Sequence, residues 1–156
     1  MTPVVLTPIV LRVPGRPRGK QRPRFNRQTG RAYTPAETVS FEQRVQAEWI
    51  AAGRPRLTDG PFVAVIEAVY ARPATHRLKN GGLSAAGRRT PFPMPPVDLD
   101  NIAKMLLDAG NGLLYTDDRQ AVDVHVKRRW CGLGETEHTE LQVARIIVPD
   151  DEQVAA

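Results

Sequence analysis

Hydrophobic positions along the chain fall into short runs whose spacing changes from one run to the next. Val4 to Val13 is dense in Val, Ile and Leu, as a buried strand would be. From Pro35 to about Ala52 the spacing becomes helical: Phe41, Val45 and Trp49 form one stripe, Pro35 suits a first turn and Thr34 is placed to cap it. Phe62 to Tyr70 reads as a second strand. In Leu99 to Ala109, Leu99, Ile102, Met105, Leu106 and Ala109 share one helical face, and Asp100, Lys104 and Asp108 share the other. Asn111 and Gly112 then stop that helix and turn the chain back. Ala121 to Trp130 alternates, with Val122, Val124, Val126 and Trp130 on one side and Asp123, His125, Lys127 and Arg129 on the other. A last strand runs from about Glu140 to Val148. The order β-α-β-α-β-β predicts one α/β (α+β) domain over residues 1–149, a small mixed sheet packed by two main helices.

Two stretches lack this periodicity. Residues 14–34 carry Arg16, Arg18, Lys20, Arg22, Arg24, Arg27 and Arg31 among prolines and glycines that forbid a regular helix, so a basic loop is expected. Residues 72–97 mix Pro, Gly and Ser with Arg72, Arg77, Lys79, Arg88 and Arg89, and a flexible loop is expected there. The polar tail 150–156 is expected to be disordered.

Composition narrows the partners. Among 156 residues, 22 Lys and Arg exceed 17 Asp and Glu, giving 22 − 17 = +5 and a pI of about 9.9. That excess favours a polyanion, nucleic acid before an acidic membrane surface. Cys131 is the one cysteine, which excludes a disulfide framework and a cysteine-based zinc site, and a reducing cytoplasm is the expected compartment. The apolar N-terminus is too short to span a bilayer and lacks a signal peptide's basic start and cleavage site, so no membrane partner is expected.

Against this basic background, "PPVDLDNIAKMLLDAGNGLLYTDD" gathers Asp98, Asp100, Asp108, Asp117 and Asp118 around one helix. Taken singly, each aspartate has an ordinary role: Asp98 or Asp100 as a helix cap, Asp117-Asp118 as a turn. Together, an Asp-x-Asp pair and a returning Asp-Asp make an oxygen-lined pocket for a hard cation, and magnesium prefers such ligands. Carboxylates crowded together repel unless a cation intervenes. An EF-hand is excluded by Ile102 and Ala103, and His76, His125 and His138 have no zinc spacing. There is no P-loop, no dinucleotide loop, and no Ser-His-acid arrangement. Metal-bound carboxylates on a basic protein point to phosphodiester hydrolysis. Lys104 suits the scissile phosphate or the attacking water, although an i, i+4 salt bridge with Asp100 or Asp108 is its ordinary role.

"VDLDNIAKMLLDAGNGLLYTDDRQAVDV" resembles the core signature of RusA-type Holliday-junction resolvases: an Asp-x-Asp-Asn-x-x-Lys helix, then a Gly-x-x-x-Asp-Asp-x-Gln segment. Asn101, Lys104, Asp108 and Gln120 fall in register with it. The resemblance implies a small homodimeric endonuclease that nicks four-way DNA junctions with Mg2+, Mn2+ being an expected substitute, in DNA recombination and repair. It implies Asp98, Asp100 and Asp118 as catalytic metal ligands and Lys104 as the catalytic lysine. Asp117 is the weaker candidate of its pair, since alternation aims it away from Asp118. Gly110 and Ala121 depart from the family pattern, which usually has leucine and a larger aliphatic there. Members commonly come from phage and prophage.

The basic loop is then expected to hold DNA through Arg16, Arg18, Lys20, Arg22, Arg24 and Arg27, with Lys104, while Arg88 and Arg89 offer a second patch. Phe25 and Tyr33 suit stacking on unpaired bases at a crossover, or else pack beneath the loop. Two symmetric cuts suit a twofold homodimer. The competing reading is a non-catalytic basic nucleic-acid-binding module; a phosphohydrolase acting on small phosphate esters is a third.

Overall fold

The computed structural model describes residues 4–147. The expected first strand is divided into β1 (Val4–Val5) and β2 (Ile9–Pro14), because Pro8 has no N–H to give to a ladder. Both lie antiparallel along one side of β7 (His138–Ile147). On the other side of β7 lies β5 (Phe62–Tyr70), also antiparallel. β6 (Ala121–Trp130) pairs with β5 in parallel and forms the opposite edge of the mixed sheet. The predicted α+β architecture is therefore the one observed. The end of the last strand at Val148 and the tail 150–156 lie outside the described residues.

Two helices cover one face of the sheet. α1 (Ala36–Ala51) contributes the buried Phe41 and Val45, with Trp49 packed at the margin. The helix Leu99–Gly110, α3 below, inserts Ile102, Met105 and Leu106 against Phe62, Ala64, Ile66, Leu141 and Val143. The other face is polar. Glu67 there accepts from Arg129 and Lys127 at 2.6 and 2.7 Å, and Glu140 accepts from Arg12 at 2.8 Å.

Several local expectations need correction. Pro35 rather than Thr34 is the N-cap residue of α1, and no side chain bonds to that first turn. The stretch 14–34 is more than loop: β3 (Arg24–Asn26) and β4 (Arg31–Tyr33) form a hairpin. The stretch 72–97 holds a 3-10 turn at Ala74–His76 and the short helix α2 (Ala85–Arg89), where Ser84 accepts from the Gly87 N–H at 3.1 Å. On β6, Val122 is 62% and Val124 38% exposed, although alternation put them on one side with the half-buried Val126 and Trp130. An edge strand has one neighbour, and a register shift at Phe62/Val63 moves Val122 out of the pairing.

Candidate active site

α3 supplies the centre of the site. Asp98 is its N-cap residue with extended backbone (φ −74°, ψ 150°), yet its carboxylate makes no bond to the first turn. The capping role is thus not what Asp98 does. Asp98, Asp100 and Lys104 are exposed and Asp108 is half-buried. The helix runs one residue past its expected end, to Gly110, and Gly112 at φ +73° reverses the chain as expected.

Gly110 has a specific role. A Cβ there would lie 2.7 Å from Tyr115 Cζ, so glycine is what lets the Tyr115 ring close over the helix end. That ring stacks on Phe62 at 4.4 Å, and its hydroxyl donates to the Leu107 carbonyl at 2.8 Å. The returning turn is pinned further by Arg56, which donates to Gly112 O at 2.9 Å. Burial, then the charges of Asp118 and Asp108, push the Tyr115 hydroxyl's pKa up. The phenol therefore feels both carboxylates, one from the helix and one from the return.

The adjacent aspartates have different duties. Asp117 accepts from Arg119 Nη2 at 2.7 Å and from the Arg119 N–H at 2.9 Å, and its own N–H donates to the Gln120 side chain at 3.0 Å. The bonds from Arg119 hold Asp117 well below the usual carboxylate range, and with the Gln120 bond they commit it to the 3-10 turn Asp118–Gln120. Asp118 forms no ion pair among the described residues.

The basic loop is seated on α3 by close approach. A Cβ on Gly19 would meet Val97 Cγ1 at 2.7 Å, and the Lys20 N–H donates to the Asn101 carbonyl at 3.0 Å. Lys20 then reaches Glu42 at 2.8 Å and Asp108 at 3.3 Å. Burial alone would lower its pKa, but the two carboxylates outweigh that and raise it. Lys20, expected among the free DNA contacts, is a strut between loop and helices. Asp108 is thus paired with Lys20, and Lys104 forms no ion pair among the described residues. Lys20, Arg22, Asp100, Asn101, Lys104 and Asp108 line one open cavity of about 460 Å³.

The other expected contacts are placed as follows. Arg18 pairs weakly with Glu37 at 3.4 Å, and Arg16 lies 5.8 Å over the Tyr70 ring. Arg24 and Arg27 project from the hairpin, where Phe25 is 65% and Tyr33 48% exposed; neither aromatic is packed beneath the loop. Arg88 and Arg89 are exposed on α2.

The donor chemistry at α3 suits a hard cation, since Asp98, Asp100 and Asp118 are carboxylates without ion pairs among the described residues. Their arrangement is looser than the expected three-ligand centre. Among the described residues no three His, Cys, Asp or Glu are gathered to hold an ion. Asp100 and Asp108 line the cavity; Asp98 and Asp118 do not. Magnesium is usually held by one or two carboxylates, waters and substrate phosphate, and that mode fits these residues better than an all-protein cage.

A family model described as endodeoxyribonuclease RusA matches residues 14–144. No curated protein matches the chain.

Proposed function

The chain belongs to the endodeoxyribonuclease RusA family, and on that premise we propose that it nicks four-way DNA junctions at the α3 cavity, using Mg2+ or Mn2+. Nuclease action is the family's, and RusA resolvases generally depend on a divalent metal. The reading is supported above all by one observation: Lys104, without an ion pair among the described residues, lines one cavity with Asp100, Asn101, Lys20 and Arg22.

Each part of the chain then has a task. Arg22, Arg24 and Arg27 hold backbone phosphates, which carry no base information and make binding salt-dependent. Exposed Phe25 and Tyr33 offer flat faces to bases left unpaired at the branch. Lys104 donates to a non-bridging oxygen of the scissile phosphate and fixes its orientation. Asp100, which lines the cavity, would hold the cation with waters and the substrate phosphate, and Asp98 and Asp118 are the further carboxylates that the resemblance implies. When bound, such a cation makes water a better nucleophile and neutralises charge at phosphorus. Lys20, Glu42 and Asp108 keep the loop over the helix. A homodimer presents two such sites to a nearly twofold junction, and the unpaired β6 edge with its exposed Val122 is a surface on which a second copy can pair.

The test is cleavage of a synthetic four-way junction in Mg2+ by the parent, Asp100→Asn and Lys104→Met. Both variants should bind the junction and lose cutting by about a hundredfold or more. Equal cutting by all three, or none by the parent with any divalent metal, rejects the reading. Metal-independent binding without nicks would instead favour the binding-module alternative.

A further inference from the structure

A second cavity, of about 390 Å³, lies away from α3, between the 72–92 excursion and the end of β6. We propose that it binds one unpaired nucleotide of the branched DNA, with the phosphate on Arg72 and Arg77 and the base against Phe92, Trp130 and Leu133. The inference rests on the junction-nuclease reading and extends it to substrate selection.

The charge arrangement carries most of the case. Arg72 donates to the carbonyls of Gly87 and Thr90, and Arg77 to those of Gly81 and Cys131, at 3.1 to 3.4 Å. Carbonyls satisfy N–H groups but leave the charges uncompensated, and neither arginine has an acid partner among the described residues. Burial, then Arg77, pulls the Arg72 pKa down, as expected of two like charges turned to one cleft. Arg129, on the same wall, is by contrast paired with both Glu67 and Glu135 at 2.6 Å. An anion is the ligand that Arg72 and Arg77 lack.

Apart from Arg129 the rest of the lining is largely apolar, with aromatic faces at Phe92 and Trp130. Trp130 is held rigid: its Nε1 donates to the Thr90 carbonyl at 2.9 Å, and the Arg72 guanidinium lies 5.3 Å over its ring. At the rim, Phe92 is 63% and Leu133 75% exposed. A ligand with a flat apolar body and an attached anion answers both halves of the cleft, and that is a nucleotide whose base is out of the stack. Paired bases present no free face, so the cleft selects a branch or a single strand over duplex. Pro93, Pro95 and Pro96 stiffen the chain between Phe92 and Asp98, so a nucleotide held here is referred to the cutting site through a short rigid stretch.

The chain has two tryptophans, Trp49 and Trp130, so Trp49→Phe leaves Trp130 as the single indole reporter. In that background, oligothymidylate and a four-way junction should both quench the fluorescence, and duplex DNA should not. Arg72→Gln should weaken oligothymidylate binding by about tenfold. Leu133→Glu, a change at an exposed position, should abolish the quench by placing a carboxylate in the cleft. The inference is overturned if junction shown to be bound in a gel leaves Trp130 unquenched, or if Leu133→Glu binds oligothymidylate as the parent does. Scoring cutting in the same samples separates the two readings. A junction cut without a Trp130 response removes the cleft and keeps the nuclease, whereas quenching without cutting by the parent keeps the cleft and removes the nuclease.

Discussion

Replacing Gly19 with alanine should damage cutting as well as stability. The new Cβ would stand 2.7 Å from Val97 Cγ1 and 3.1 Å from Asn101 Cβ, where carbon contacts settle at about 3.5–4.0 Å. Val97 and Asn101 sit at the start of a core-packed helix, so the exposed loop is what yields, by about 1 Å. That retreat stretches the 3.0 Å bond from the Lys20 N–H to Asn101 O and pulls Lys20 Nζ from Asp108, already 3.3 Å away. One weakened hydrogen bond costs about 1 kcal/mol and the overpacking about 1–3 kcal/mol. Alanine's smaller unfolded-state entropy returns about 0.4–1 kcal/mol. The net, about 1–3.6 kcal/mol, lowers Tm by about 2–14 °C in a chain of this size. Displacement of about 1 Å at a catalytic centre costs about a hundredfold in rate. Gly30→Ala is the control: its φ of +65° makes alanine strained, but no atom lies within 4 Å and the loop stays seated. Melting curves and junction-cleavage rates for both variants decide the matter. If Gly19→Ala cuts like the parent, or if Gly30→Ala loses as much activity, the seating of the loop on α3 is not what organises the site.

Other outcomes follow from single contacts. Gly110→Ala drives a methyl into the Tyr115 ring and should cost about 1–3 kcal/mol in urea unfolding; a parent-like midpoint would mean that the ring can move aside. Lys20→Met removes the partner of Asp108 and Glu42, so Asp108 becomes free to pair with Lys104 and cutting should drop while stability falls by about 1 kcal/mol or less. Unchanged cutting would show that Lys20 does not keep Lys104 available. Glu135 is held at about 2, below its ordinary 4.5, chiefly by its hydrogen bonds from Arg129. Because the folded value is the lower one, this contribution is complete above about pH 4.5 and is lost as the pH falls towards 2. Glu135→Gln should therefore flatten the acid limb of the Tm-against-pH curve, and an identical limb in the variant would count against the assignment.

The helix at the centre of the site was legible because its apolar residues repeat at the helical period and its stop, Asn111-Gly112, needs a positive φ that glycine takes without strain. The hairpin within the basic run was missed because its strands show no apolar alternation to read. A turn signal was nevertheless present: Asn26 Oδ1 accepts from the N–H groups of Gln28 and Thr29 at 2.8 and 3.2 Å, and Gly30 follows. The exposure of Val122 and Val124 was not legible either, since alternation gives sides but not the number of neighbouring strands.

The amino-acid sequence alone determined the order of the main strands and helices and named the candidates for the chemistry: the carboxylates clustered at α3 and the arginines that precede α1. Those are local properties, set by side-chain type and by spacings within a turn or a strand. Only the tertiary structure decided which charges are spent on one another. Lys20 and Asp108 are far apart in the chain, yet they form an ion pair, and among the described residues Lys104 forms none and Arg72 and Arg77 face a cleft that no acid lines. Charge compensation acts across ångströms of space between elements that packing brings together, and no reading of neighbours along the chain contains that distance.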